Sequence, residues 1–394
     1  MYPNLYFIIE GLFGVKPPVG FSIVQTFGLF LAFTFISAGI VLSNDMKRRT
    51  ALGQFKPVVT EREITGTPSI GDLIINGLIG FILGFKLLFV AMDWGAFTAN
   101  PQDVILSTKG HIAGGIIGGL LMMASKYWER RKEAEEHKGA TKIRITTQPH
   151  EMVGDILIVA AISGLIGAKV FAVMEYPQRL IEDPIGHLFS GSGLAIYGGL
   201  VFGFLGVFYY IHKKGLSKLQ MMDAAAPPLI LGYGVGRMGC HFSGDGDWGI
   251  VNSNPKPGWL PDWMWSLKYP HNVNGEGIPM EGCTGEFYTD QYCFELAEGV
   301  YPTSVYEILA MLVLFAIFWF VLRFQFKAAG LIFFAYMIVN GIERYLIEII
   351  RVNDRYEWFF NMTQAQIVAV FMILIGVLGG IWAVKRHQND TSKA

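Results

Sequence analysis

"LIINGLIGFILGFKLLFVAM", residues 73–92, is the stretch that decides the fold. Twenty residues carry a single charge, Lys86. A helix of about 20 apolar residues is long enough to cross the hydrocarbon core of a bilayer. Comparable windows recur at 21–42, 111–128, 156–174, 194–211, 224–239, 304–322, 331–350 and 365–384. Across 394 residues, 52% are hydrophobic and only 16% charged, against about 25% charged in an ordinary soluble domain. The pattern predicts an all-α fold: a polytopic integral membrane helix bundle of about nine spans, with residues 1–394 as a single membrane domain. The window at 224–239 is short and contains Pro227-Pro228 and several glycines. It is a candidate for a broken or re-entrant span, which a membrane tolerates only where protein or water satisfies the loosened backbone.

The net charge of −1 says little, because the charges are segregated. Nothing in them points to nucleic acid. A removable signal peptide is not expected: the first twenty residues hold Glu10, Lys16 and a Pro17-Pro18 break instead of a basic start and an apolar run. Lys and Arg placement sets the expected orientation. Arg48 and Arg49 follow the first window, Arg130 and Arg131 the third, Lys213 and Lys214 the fifth, Arg323 and Lys327 the seventh, and Lys385 and Arg386 the ninth. Basic residues therefore follow every odd span, which places the N-terminus outside and the C-terminus in the cytoplasm. The long segment 240–302 then becomes an outward-facing loop insertion. Its Cys283 and Cys293 are expected to pair in an oxidising compartment, leaving Cys240 free. No His or Cys stands at ligand spacing beside them, so no metal is expected.

Residues 71–131 align with 154–214 at a constant offset of 83. Gly71-Asp72 falls on Gly154-Asp155, Lys86 on Lys169, Pro101 on Pro184, Gly110 on Gly193 and Tyr127 on Tyr210. Each copy is two spans in the same orientation, so a parallel internal repeat is expected. Its glycines suit close helix approach.

The second informative stretch is "GYGVGRMGCHFSGDGDWG", residues 232–249. Ionisable residues within a membrane are costly and mark functional candidates. Arg237 is either an interfacial arginine or an anion clamp, since guanidinium suits bidentate contact with phosphate. Gly236 and its neighbours would let a head group reach the backbone. His241 is either a bystander or a proton-transfer group. In "IERYLIEIIR", Arg344, Glu348 and Arg351 share one helix face by their spacing, while Glu343 precedes them. They form either a structural ion pair or part of a site. "YPTSVYE" brings Tyr306 and Glu307 to the outer start of the seventh span, and "LAIYGGLVFG" brings Tyr197 just inside the fifth.

Taken in order, these pieces resemble the prolipoprotein diacylglyceryl transferases of bacterial inner membranes. "FGLFLAF" (27–33) resembles the family's first-helix motif. "SGLAIYGGLVFG" (192–203) resembles its histidine, then Gly-Gly-Leu, motif. "MMDAAAPPLILGYGVGRMGCHFSGDGDWG" (221–249) resembles its Gly-Arg-x-Gly-Asn signature. "YPTSVYE" (301–307) resembles its His-Pro-Thr-Gln-x-Tyr-Glu, and "GLIFFAYMIVNGIERYLIEIIRVND" (330–354) its last motif. Tyr197 stands where the family has a histidine, Cys240 replaces an asparagine, Tyr301 a histidine and Phe27 a tyrosine. One extra residue between Arg237 and Gly249 puts Asp245 or Asp247 near the family's acidic position.

The resemblance implies transfer of the diacylglyceryl group of phosphatidylglycerol to the lipobox cysteine thiol of a prolipoprotein, without a cofactor, at the bacterial inner membrane. It implies phosphatidylglycerol, the prolipoprotein signal peptide and membrane lipids as partners. Arg237, Arg344, Tyr197 and His241 become the expected catalytic residues. Gly198, Gly199, Gly236, Asp245, Gly249, Tyr306, Glu307, Glu348 and Arg351 become the expected substrate-binding ones. Arg237 and Arg344 would neutralise the phosphate. The thiol must become a thiolate; Tyr197, His241 or the arginine field alone are the alternatives for that step. A non-catalytic lipid-binding or lipoprotein-handling paralogue, and a transporter suggested by the parallel repeat, are the competing readings.

Overall fold

The computed structural model describes residues 1–63, 66–99, 104, 109–136, 142–175, 195–283, 292–357 and 360–392. Pro101, Pro184 and Gly193 of the expected repeat lie outside them. The chain forms a helical integral membrane protein. Five helical stretches, Thr26–Ala51, Ile70–Met92, Pro149–Glu175, Thr303–Gln325 and Gln364–Ser392, are long and apolar enough to cross a membrane. Their large aliphatic side chains point outward in numbers no water-facing helix carries: Ile74, Leu78, Ile82 and Leu374 are each more than half exposed.

The chain divides into two compact units, Met1–Phe55 with Ser217–Ala394, and Lys56–Leu216. In the first, α1 (Leu5–Phe13) and α2 (Thr26–Ala51) precede the break. The remaining helices of this unit are α7 (Lys218–Ser243), α8 (Thr303–Ile317, continued by a π-turn to Gln325), α9 (Leu331–Ile347) and α10 (Gln364–Ser392). The unit's core is Ala226, Ile230, Met311, Phe318 and Ile332, contributed by α7, α8 with its π-turn, and α9.

The expectation of a broken span at 224–239 does not hold. α7 runs unbroken through Pro227 and Pro228 to Ser243. Two prolines remove two intrahelical donors, but close packing on both sides carries the helix across them. Gly232 lies against Thr34 of α2, and Gly234 against Met311 of α8. Asp223, one turn before the prolines, uses its carboxylate elsewhere. It accepts from the backbone N–H groups of Gly330 (2.7 Å) and Phe333 (3.0 Å) and so caps the start of α9. Where α2 ends, buried Asp45 accepts from Arg49 at 2.6 Å and Arg48 at 2.8 Å, with Arg323 3.7 Å away.

Beyond α7 the chain folds over the ends of α8 and α9. Trp248, Tyr269 and Val300 form a small separate core. A disulfide joins Cys283 to Cys293, with Cα atoms 5.7 Å apart, and Cys240 is free.

In the second unit, α3 (Ile70–Met92) packs on α4 (Ile112–Glu136), and α5 (Val153–Glu175) on α6 (Ile196–Lys213). Both pairs meet through glycines. A Cβ on Gly84 would strike the Gly114 carbonyl, and one on Gly167 the Gly198 carbonyl. The His111 N–H donates to the Phe85 carbonyl at 2.9 Å, and that of Ala195 to Ala168 at 3.1 Å. Phe85 and Ala168 stand 83 residues apart, His111 and Ala195 84. An all-α description omits a feature here: Val58–Glu63 and Lys142–Thr147 form an antiparallel ribbon pairing Val58 with Thr147 and Glu63 with Lys142. Their alternating β-branched and charged residues have strand periodicity, and Arg144 meets Glu61 at 3.0 Å.

Candidate active site

The residues that gather lie in the first unit, where the ends of α7, α8 and α9 converge. Glu307, one turn into α8, is fully buried. Its carboxylate faces Arg237 of α7 at 3.1 Å, Arg344 of α9 at 3.4 Å and Arg351 at 3.7 Å. Tyr233, one turn before Arg237, donates its hydroxyl to the same carboxylate at 2.6 Å. Arg344 also pairs with buried Glu348 at 2.9 Å, across one helical turn. The other oxygen of Glu348 accepts a hydrogen bond from Asn353 at 2.5 Å. Three guanidiniums so close would repel one another unless carboxylates stood between them.

The third carboxylate is Asp247. It bonds both Arg237 and Arg351. Burial alone would raise its pKa, but Arg237 and Arg351 outweigh that and hold it down to about 2. Of the two aspartates expected near this position, Asp247 makes the ion pairs. Asp245 lies beside Cys240 and Asp247, and burial followed by repulsion from Asp247 pushes its carboxyl up. The backbone explains the choice. Gly244 (φ 66°) and Gly246 (φ 95°) both take left-handed conformations, turning the chain twice before Asp247. The Thr303 hydroxyl then donates to the Asp247 carbonyl at 2.8 Å.

Gly249 fixes the other end of this segment. Its N–H donates to the Tyr301 carbonyl at 2.9 Å, and that of Ile250 to the Ile350 carbonyl at 2.8 Å, so an isolated antiparallel bridge ties Gly249 to Arg351. A Cβ on Gly249 would sit 2.6 Å from the Ile350 carbonyl and 2.9 Å from Tyr301 Cβ. A groove of about 380 Å³ adjoins it, lined by Trp248, Val251, Leu296, Val300 and Val352 among others.

The other expected residues are placed differently. Tyr306 donates to the Met264 carbonyl at 2.7 Å and anchors the loop. His241 Nδ1 bonds Ser304 at 3.1 Å, and its ring lies edge-on to Phe242 and Tyr269. Among the described residues, only Thr34 Oγ1 lies within 4 Å of a Cβ placed on Gly236, at 3.8 Å. Tyr197, Gly198 and Gly199 belong to the second unit, at the start of α6, where Gly198 packs on Gly167. Tyr233 and Asn353 were not singled out from the sequence. Tyr233 was legible as the residue one turn from Arg237 on the same face. Asn353 sits beyond the helix, where periodicity gives no signal.

Arg351 retains two buried nitrogens, Nε and Nη1, with no hydrogen-bond partner among the described residues. A guanidinium carries five N–H donors. Nη1 faces Glu307 at 3.7 Å without a hydrogen bond and Nε has none either, so the cluster keeps donors not satisfied by hydrogen bonds, in a form suited to a phosphate.

A family model described as prolipoprotein diacylglyceryl transferase matches residues 126–382. A Corynebacterium diphtheriae protein named phosphatidylglycerol–prolipoprotein diacylglyceryl transferase is 29% identical over 248 residues, covering 61% of this chain and 81% of the relative. A protein of the same name from Leptospira interrogans is 26% identical over 286 residues, covering 60% and 81%. One from Clostridium tetani is 24% identical, covering 68% and 88%.

Proposed function

The chain belongs to the prolipoprotein diacylglyceryl transferase family, and from that membership and the arginine–carboxylate cluster we propose that it transfers the diacylglyceryl group of phosphatidylglycerol to the thiol of a prolipoprotein lipobox cysteine. The product is a thioether, and glycerol phosphate leaves. The observation that carries this reading is the convergence of Arg237, Arg344 and Arg351 on Glu307, with donors left over on Arg351.

Arg237, Arg344 and Arg351 take the phosphate and neutralise the charge that grows on it as its bond to the glycerol carbon breaks. Glu307, Glu348 and Asp247 hold the guanidiniums in place before the lipid arrives. Gly236 gives the head group access to backbone. Gly198, Gly199, Asp245, Gly249 and Tyr306 complete the expected binding set, Gly249 and Tyr306 by fixing the loop over the cluster. Tyr197 and His241 are the sequence candidates for handling the thiol proton.

Helices α2 to α10 supply nine spans, with the N-terminus outside and the C-terminus in the cytoplasm of an inner membrane. Basic residues at the ends of α2, α4, α6, α8 and α10 support this, and so does the disulfide in the opposite loop. Segments 71–131 and 154–214 are a parallel duplication within one membrane domain. The recurring glycine contacts support it, and so do the matching backbone hydrogen bonds from His111 to Phe85 and from Ala195 to Ala168. The family match begins at residue 126, which favours the second copy as the functional one.

The test is direct. Purified protein is given phosphatidylglycerol vesicles and a lipobox peptide, and the thioether product is sought by mass spectrometry. Product formation is expected. Its absence, with phosphatidylglycerol still bound, overturns the transferase and favours a lipid-binding paralogue.

A further inference from the structure

The transferase reading leaves the proton of the attacking thiol without a convincing acceptor. A tyrosine is a weak base near neutral pH, and the Nδ1 of His241 is engaged by Ser304. The carboxylates of the cluster are almost all engaged as well. Glu307, Glu348 and Asp247 each hold at least one arginine.

Glu343 is different. Both of its carboxylate oxygens are buried, and neither has a hydrogen-bond partner among the described residues. The same is true of Asn340 Oδ1, one turn earlier on the same face of α9. That face looks toward the cluster. Tyr336 and Val339 pack against the core that Ala226 and Ile230 of α7 share with Met311 of α8. Glu343 interacts electrostatically with Arg237 of α7, Glu307 of α8, and Arg344 and Arg351 of its own segment, and with Tyr233 of α7. A buried carboxylate without a donor is rare because it forfeits solvation. Open acceptor atoms in such a place call for a hydrogen supplied from outside the chain.

We propose that Glu343 is the catalytic residue that accepts the proton of the lipobox cysteine thiol. This rests on the transferase reading above. The S–H proton passes to a Glu343 oxygen. The sulfur electron pair forms the C–S bond at the glycerol carbon, and the C–O bond to phosphate breaks with its pair leaving on the phosphate oxygen. Glu343 then returns the proton to the departing glycerol phosphate. The charges favour this direction. Arg237, Arg344 and Arg351 are matched by Glu307, Glu348 and Asp247, so an ionised Glu343 beside a lipid phosphate is surplus negative charge, which protonation removes.

The test uses full-length protein in phosphatidylglycerol vesicles with two lipobox peptides, one carrying cysteine and one selenocysteine. A selenol is more acidic than a thiol and needs no base near neutral pH. In Glu343→Gln, kcat with the cysteine peptide should fall by about a hundredfold or more, the range of general-base effects. KM for phosphatidylglycerol should stay near wild type, and the selenocysteine peptide should recover most of the rate. Glu343→Asp should retain part of the activity. Wild-type turnover of the cysteine peptide by Glu343→Gln overturns the assignment. So does an equal loss on both peptides, which marks a structural role. If selenocysteine instead rescues His241→Ala and not Glu343→Gln, the acceptor is His241. A wild-type protein that makes no thioether product fails at the transferase reading, an outcome separate from the failure of Glu343.

Discussion

Glu307→Gln is the substitution to which the site should be most sensitive. It keeps the side chain's shape and removes one negative charge from among three guanidiniums. Glu307 is fully buried and is the carboxylate shared by Arg237, Arg344 and Arg351 at 3.1, 3.4 and 3.7 Å. It also accepts the Tyr233 hydroxyl at 2.6 Å. Removing one partner of a buried ion pair costs about 3–5 kcal/mol, because the other charge stays behind without compensation. At roughly 2–4 °C per kcal/mol for a body of this size, the apparent midpoint of thermal unfolding should drop by roughly 6–20 °C. An anion bound to the arginines would take over part of the lost role. Phosphatidylglycerol should therefore raise the midpoint more in the variant than in wild type, whereas a zwitterionic lipid should not. The assay is thermal unfolding of purified protein in micelles with each lipid in turn. A midpoint within about 2 °C of wild type, well below the shift expected from a lost buried partner, would refute the view that Glu307 is what lets three arginines coexist. A large drop that both lipids repair equally would refute the anion site.

Arg237→Lys keeps the charge but cannot bond Glu307 and Asp247 together from one planar fork, so kcat/KM for thioether formation should fall about tenfold to a hundredfold while folding persists. Unchanged kinetics would remove Arg237 from the phosphate clamp. Asp247 has its folded pKa lowered from 3.8 to about 2, so its stabilising contribution is complete above about 4 and is lost as the pH falls through about 2. Unfolding midpoints measured across that window should fall in wild type and fall less in Asp247→Asn. Gly249→Ala puts a Cβ against the Ile350 carbonyl and Tyr301, costing about 1–3 kcal/mol. Faster limited proteolysis of the loop, together with weaker phosphatidylglycerol binding, would show that the segment bridged to Arg351 has been displaced.

Much of this was legible in the sequence because membranes impose a simple grammar. Windows of about 20 apolar residues mark spans, and each of the nine expected windows falls largely on a helix among the described residues. Arg237, Glu307, Arg344, Glu348 and Arg351 stood out because charge is conspicuous in apolar segments, and the one-turn spacing already joined Arg344 to Glu348. What escaped depends on backbone path. Two left-handed glycines decide that Asp247, and not Asp245, reaches the arginines. Tertiary packing, invisible to any local window, carries α7 through Pro227 and Pro228. Tyr306 reads like a neighbour of Glu307 in sequence, yet its hydroxyl is used by the Met264 carbonyl.

Three guanidiniums and three carboxylates in apolar surroundings are a poor way to stabilise a helix bundle. Buried ion pairs often contribute less than well-packed apolar residues of the same volume, since desolvation consumes most of the attraction. Their presence where α7, α8 and α9 meet therefore calls for a reason other than stability. A transfer that expels a phosphate needs cations already fixed where the charge will develop, because dipoles that must reorganise during the reaction give back much of what they gain. Cations so placed would drive one another apart unless something held them. Glu307 between Arg237, Arg344 and Arg351, Asp247 between Arg237 and Arg351, and Glu348 on Arg344 do this. The carboxylates fix the guanidiniums relative to one another, and on the proposed reading the stability given up in withdrawing these charges from water is recovered as a site that need not rearrange when the phosphate leaves.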